Sequence, residues 1–226
     1  MVFVTAPGRR RPHWRWATPL LLCVCVGIYV VAALADPAGH DLLLRRWGAL
    51  SSAMADWRNL LQPERALSLF TALALHADPL HLLGNMLFLL VFGLPAERAL
   101  GSVRLLLLFV VGGAVANSVA VLSLDRPDHV VLGASGAVSV LIGAYLALFP
   151  SARLGVVLPL GLWLHFVRVP AVVLISLWVV LQLLFTWVGP SFGAVAWWAH
   201  LSGFAFGFIA AMLMRDTLAR GARLRR

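Results

Sequence analysis

Lysine is absent from this 226-residue chain, acidic residues number only nine, and charged residues together reach just 12%. That is about half the roughly 25% of a soluble domain. With 62% of residues hydrophobic, the scarcity of charge excludes a water-soluble globule, because a domain of this size leaves about a quarter to a third of its unfolded-chain surface exposed. The cysteines are two, Cys23 and Cys25; two positions apart on a helix they point to different faces and cannot pair. There is no CxxC pair, no zinc-ligand spacing and no HExxH, so the sequence calls for no metal and no cofactor. The net charge of +9 is carried by arginine alone, and the placement of the arginines decides what it is for.

What is present in quantity is apolar sequence. A hydrocarbon core about 30 Å thick takes roughly 20 apolar residues of helix. Six segments qualify: Ala17–Ala35, Leu80–Leu94, Val103–Leu122, Ser135–Phe149, Val169–Val188 and Ala194–Met214. The expected fold is an all-α membrane protein, a six-transmembrane-helix bundle over residues 17–214, with basic tails at 1–16 and 215–226. With the N-terminus inside, thirteen of eighteen arginines share one side: Arg9, Arg10, Arg11, Arg15, Arg98, Arg104, Arg153, Arg168, Arg215, Arg220, Arg223, Arg225 and Arg226. The other side receives seven of the nine acidic residues, Asp36, Asp41, Asp56, Glu64, Asp78, Asp125 and Asp128. The positive-inside rule therefore places both termini in the cytoplasm. Such a basic rim suits anionic headgroups, and no nucleic-acid partner is needed to explain it. Trp14 and Trp16 at one boundary, and Trp187, Trp197 and Trp198 at the other, fit interfacial belts. Arg9–Arg11, the apolar run and Ala33-Leu34-Ala35 also resemble a signal peptide, although the run exceeds the usual 7–15 residues. Between Asp36 and Ala77 the mixed pattern, including Leu42-Leu43-Leu44-Arg45-Arg46-Trp47, predicts short helices lying in the outer interface.

Polar groups within the spans gather at one depth. His81 and Asn85 are four residues apart and share a helix face. His200 lies about six residues into the last span, roughly 9 Å down. The fourth span is only about 22 Å of helix, some 8 Å short of the hydrocarbon thickness, so Ser135 starts well below the outer surface. The non-helical Val130-Val131-Leu132-Gly133 before it is tolerated at depth only in protein or beside water. A water-accessible pocket opening outward follows. Gly136, Ser139, Gly143 and Ala147 on the fourth span, with Ala196, His200, Gly203 and Gly207 on the sixth, form small-residue faces that let two helices meet closely.

Close packing there aims His200 at Ser135. A histidine within hydrogen-bond reach is the usual activator of a serine nucleophile. Attack on a carbonyl creates an oxyanion, for which the N–H of Ser135 at a helix start, His81 and Asn85 are candidate donors. No carboxylate is placed to orient His200, so a dyad is expected. Asn117, Ser118, Gln182 and Trp178 are assigned to helix–helix contact.

At these residues the sequence resembles the rhomboid family of intramembrane serine proteases. His76-Ala77-Asp78-Pro79-Leu80-His81-Leu82-Leu83-Gly84-Asn85 is similar to that family's second-span signature, Gly133-Ala134-Ser135-Gly136 to its nucleophile motif, and His200-Leu201-Ser202-Gly203-Phe204-Ala205-Phe206-Gly207 to its sixth span. Glu97, Gly101, Pro170, Trp178 and Gln182 also fit, and the likeness covers residues 66–214. It implies Ser135 as nucleophile, His200 as general base and acid, and His81, Asn85 and the Ser135 N–H as the oxyanion hole. Gly133, Gly136, Gly203 and Gly207 would be the structural positions of the motifs. It further implies proteolysis of single-span membrane protein substrates near their outer ends, with lateral entry between the second and fifth spans. The location it implies is the bilayer of a bacterial inner membrane. Two departures stand out: Ser139 occupies a position where members carry an aromatic packed on the base, leaving Trp197 or Trp198 to hold it, and Trp57-Arg58 lies far upstream of its family place. The rival reading is a non-proteolytic rhomboid-like protein that binds membrane helices for quality control; such proteins lack the nucleophile or base, whereas this chain keeps both. A transporter or channel would need a polar path through both leaflets, and the inner halves of these spans are almost wholly apolar.

Overall fold

The computed structural model describes residues 15–51, 58, 61–124, 129–160, 163–188 and 197–223, with side chains except at 158–160, 163–164 and 216–223. Arg9, Arg10, Arg11, Trp14, Asp56, Trp57, Asp125, Arg126, Asp128, Ala194, Ala196, Arg225 and Arg226 lie outside the described residues.

Most of the described chain is helical. Helix α1 (Ala17–Ala33) is followed by α2 (Pro37–Trp47), where the Asp36 carboxylate accepts the Gly39 N–H at 2.8 Å and Pro37 opens the first turn. This is the side-chain cap expected at such a start. A two-residue strand β1 (Ala49–Leu50) leads to α3 (Pro63–Thr71), which ends in a single 3₁₀ turn, Ala72–Ala74. The described parts of the segment after the first span thus contain short helices, as its mixed pattern predicts. Helix α4 (Pro79–Leu100) contains a π-helical stretch at Leu89–Gly93. Gly101, at φ +86°, turns the chain directly into α5 (Ser102–Ser123), a backbone conformation that glycine adopts without steric cost. Strand β2 (Val130–Val131) pairs antiparallel with β1 and precedes α6 (Ser135–Leu148). After strands β3 (Arg153–Leu160) and β4 (Trp163–Pro170), α7 (Ala171–Val188) and α8 (Trp197–Arg223) complete the order.

Among the described residues, four helices are long and apolar enough to cross a membrane: α4, α5, α7 and the Trp197–Arg215 part of α8. The apolar helices α1 and α6 are shorter, about 25 and 21 Å at 1.5 Å per residue. The chain is a multi-pass integral membrane protein. Helix α6 is its centre, because nearly every side chain from Gly136 to Tyr145 is buried. Val138, Leu141, Ile142 and Tyr145 pack with Leu73 of the 3₁₀ turn, Met86, Leu89 and Phe92 of α4, and Leu105 and Phe109 of α5. Outward faces carry Leu83, Leu87, Val103, Leu107, Leu177 and Val180, all well exposed. In lipid those faces gain little by burial, so close fit rather than apolarity holds the helices together.

The expectation of an all-α chain is corrected by β3 and β4. They form an antiparallel hairpin with Arg153 opposite Pro170 and Leu160 opposite Trp163. Val156, Val157, Phe166, Val167 and Val169 supply β-branched and aromatic residues, which favour a pleated, half-buried surface over a helix.

One long-range polar contact ties the first span to the rest. Glu97, in the last turn of α4, is 1% exposed. Its carboxylate accepts the N–H of Ala17 at 2.8 Å, the N–H of Thr18 at 3.0 Å and the Ser102 hydroxyl at 2.6 Å. It therefore caps α1 from a distance of 80 residues, at the end where the helix dipole favours a negative charge. Glu97→Ala orphans two buried N–H groups and is expected to cost about 3 kcal/mol or more, since hydrogen bonds to a charged group contribute roughly 1.5–3 kcal/mol each. An unfolding midpoint in detergent equal to that of the unaltered protein would refute this role for Glu97.

Candidate active site

The site is assembled from the starts of three helices. Asp78 caps α4 by accepting the His81 N–H at 2.8 Å, which sets His81 in the first turn and buried Asn85 one turn further. The Asn85 amide donates to the His81 carbonyl at 3.0 Å. An amide nitrogen carries two protons, so this bond fixes the side chain and leaves a second N–H for other use. His76, just before the helix, is 1% exposed and meets His81 edge-on, with ring centroids 5.2 Å apart. Burial first, and His81 second, push the His76 imidazole down to about 4. It stays neutral near neutral pH and acts as a packing wall for His81.

Helix α6 begins at Ser135 for local reasons. The Gly133 N–H donates to the Ala72 carbonyl at 2.9 Å, tethering the segment before the helix to the 3₁₀ turn. Gly133 sits at φ +113°, in the left-handed half of backbone space where a Cβ is strained. A Cβ there would also lie 2.6 Å from Cε1 and 2.7 Å from Nε2 of His81, and 3.8 Å from the Asn85 amide nitrogen. Only glycine lets the backbone come this close to the His81 ring. The first intrahelical bond runs from Val138 N–H to Ala134 C=O at 2.8 Å; the N–H groups of Ser135, Gly136 and Ala137 precede that ladder, as at any helix start.

Helix α8 brings His200. A Cβ on Gly136 would be 3.6 Å from the Ala199 Cβ, and one on Gly203 would run into the Gly136 carbonyl oxygen. The same backbone-to-backbone approach recurs where Gly207 meets the Val140 carbonyl and Gly143 meets the Phe204 carbonyl. The small-residue faces expected on these two helices do meet, and Ser135 and His200 each adjoin the Gly136–Ala199 contact. Both are half-buried.

The surroundings of His200 answer the question raised by Ser139. That hydroxyl donates back along its own helix to the Ser135 carbonyl at 2.8 Å, so it takes no part in holding the imidazole. Trp197 stands edge-on to the His200 ring at 6.0 Å, and Trp178 of α7 lies tilted at 6.3 Å. Trp198 is instead exposed. His200 Nδ1 is 2.7 Å from Oε1 of Gln182 on α7. Gln182 and Trp178, expected to make helix–helix contact and also fitting the family pattern, are the residues against the candidate base. The available signal was their four-residue spacing, which puts both on one face. Asn117, by contrast, is the tie expected of it, donating from α5 to the Leu69 carbonyl at 2.8 Å. Among the described residues, no three His, Cys, Asp or Glu side chains converge.

The family model described as Rhomboid domain matches residues 63–217. RHOMBOID-like protein 6, mitochondrial, of Arabidopsis thaliana is 30% identical over 158 residues, 58% of this chain and 51% of that protein. RHOMBOID-like protein 5 of the same plant is 28% identical over 178 residues, 62% and 56% of the two chains. The candidate rhomboid protease YdcA of Bacillus subtilis is 38% identical over 78 residues, 34% and 39%. The chain thus spans about half the length of these two plant relatives.

Proposed function

The chain belongs to the rhomboid family, and from that premise we propose that it is a serine endopeptidase cutting transmembrane helices near the outer membrane face. One observation carries the reading: the starts of α4, α6 and α8 converge so that Gly133 lies against His81 and Asn85 while Ser135 and His200 flank the Gly136–Ala199 contact. Ser135 Oγ attacks the scissile carbonyl as His200 takes its proton. The carbonyl oxygen becomes an anion received by the Ser135 N–H, Asn85 and His81. Collapse breaks the C–N bond, and His200 returns the proton to the leaving amine. Water, deprotonated by the same imidazole, then frees the acyl group. Substrates with helix-breaking residues in their outer half suit this site, because a continuous helix hides its carbonyls in i to i−4 bonds.

In this reading residues 17–214 form a six-span catalytic bundle of α1, α4, α5, α6, α7 and α8, residues 1–16 and 215–226 are cytoplasmic basic tails, and the membrane is a bacterial inner membrane. The arginine distribution supports that orientation. Substrates enter sideways between α4 and α7, and no cofactor, metal or nucleic acid takes part.

The test uses the purified full chain in detergent with a single-span reporter carrying Gly or Pro in its outer half, and in parallel a serine-directed covalent probe. Cleavage into two fragments together with probe labelling is the expected outcome; neither cleavage nor labelling would overturn the proposal. The oxyanion site has its own check. Gly133→Ala pushes the His81 ring aside, and loss of one oxyanion donor typically costs about 10²–10³ in kcat. A fall of at least 10²-fold in kcat with little change in KM is expected, and a variant turning over at the normal rate would remove His81 from the site.

A further inference from the structure

We propose that Gln182 is a positioning residue for His200, holding its ring by the Nδ1 edge and selecting the tautomer that leaves Nε2 as the base. The proposal rests on the protease reading for its catalytic meaning, but the bond itself is structural. Oε1 of Gln182 lies 2.7 Å from His200 Nδ1. A carbonyl oxygen can only accept, so in the neutral ring Nδ1 carries the proton and Nε2 the lone pair. An imidazole with its proton on Nε2 cannot receive the Ser135 proton there. Gln182 is 6% exposed, and within its own helix its main-chain carbonyl accepts the Thr186 hydroxyl at 2.8 Å.

Trp178 and Trp197 restrict the ring from two further sides, but aromatic faces do not choose between tautomers. Among the described residues, His81 of α4 is the titratable group whose charge acts on His200. Among the described residues no carboxylate hydrogen-bonds to it. Gln182 therefore fills with a neutral acceptor the place that an aspartate fills in a triad, orienting the base without adding a negative charge to stabilise the imidazolium. The base is thus held from α7, a helix with few buried side chains.

Three variants and two readouts test this. Gln182→Met keeps length and volume but has no acceptor; it is expected to lower kcat about 10- to 100-fold, the scale seen when the hydrogen-bond partner that orients a metal-ligating histidine is removed, with KM and the unfolding midpoint unchanged. Gln182→Glu restores an acceptor bearing charge. It is expected to recover turnover relative to Gln182→Met and to move the acid limb of the kcat/KM profile to higher pH, because a carboxylate favours the protonated imidazole. Gln182→Leu controls for loss of polarity and is expected to behave as Gln182→Met. The second readout needs no proteolysis: nitrogen NMR of histidine-labelled full chain in detergent should show His200 protonated at Nδ1, with that preference lost in Gln182→Met. Wild-type protein carrying the proton at Nε2, Gln182→Met turning over normally, or loss of activity only in step with lost stability would each overturn the proposal. If the wild type fails to cut the reporter, the protease reading falls by itself, and the NMR result still decides whether Gln182 sets the tautomer.

Discussion

Ser135→Ala is expected to reduce cleavage of a transmembrane reporter by about 10⁴-fold or more, the scale of single knock-outs in serine–histidine machinery. The loss is large because no neighbouring hydroxyl can substitute. Ser139, one turn along α6, bonds to the Ser135 carbonyl of its own helix and is fully buried. Stability should move by less than about 0.5 kcal/mol, because alanine is well accepted at a helix start that relies on no side-chain cap from Ser135. His200→Ala should fall to the same floor. The double variant should fall no further, since two residues acting as one unit are not additive. Comparing turnover of the three variants with that of the unaltered chain checks this. Equal cleavage by Ser135→Ala would end the assignment, and a double variant much worse than either single one would show that serine and histidine act in separate steps.

Depth and spacing made these groups legible from sequence. A serine at the start of a helix too short for the bilayer, and a histidine on a face with Gly203 and Gly207, are pattern statements that need no coordinates. His81 and Asn85 followed from the four-residue spacing. The partners of these groups were less legible because they are tertiary. Gln182 reaches His200 across 18 positions, and a lone amide in a span is equally consistent with any neighbouring helix. Glu97 bonds α1 across 80 positions, so no local period encodes it. The hairpin of β3 and β4 was missed for another reason: its residues lie between two spans, where topology alone calls for a loop, and the alternation within Arg153–Pro170 is weakened by Gly155 and Pro159. Most apolar helices start close to where run length puts them, since that is a one-dimensional property, but α4 runs on to Leu100, six residues past its expected end.

Gly207→Leu is expected to unfold the bundle or leave it at least about 3 kcal/mol less stable, the upper part of the range for overpacking a tight contact. The reason lies in what the added atoms meet. A Cβ at Gly207 would run into the main-chain carbonyl of Val140, and unlike a flexible side chain a carbonyl within α6 cannot rotate away without breaking its helix. Gly203 on the Gly136 carbonyl and Gly143 on the Phe204 carbonyl repeat the arrangement, so α6 and α8 must separate along their whole contact to relieve one clash. Gly27→Ala is the matched control. Nothing lies within 4 Å of a Cβ there, so replacing a helical glycine should be neutral or stabilise by about 0.5–1 kcal/mol. Unfolding midpoints in detergent separate the two cases, and equal midpoints would show that the α6–α8 approach is not what fixes the fold. Gly207→Ala carries the argument into function, since its single added carbon already meets the carbonyl yet leaves more of the bundle intact. If the closeness of these helices is what holds His200 against Ser135, turnover in Gly207→Ala should fall by more than its loss of folded protein explains. Turnover proportional to the folded fraction would instead mean that His200 is held by α7 and Gln182 alone.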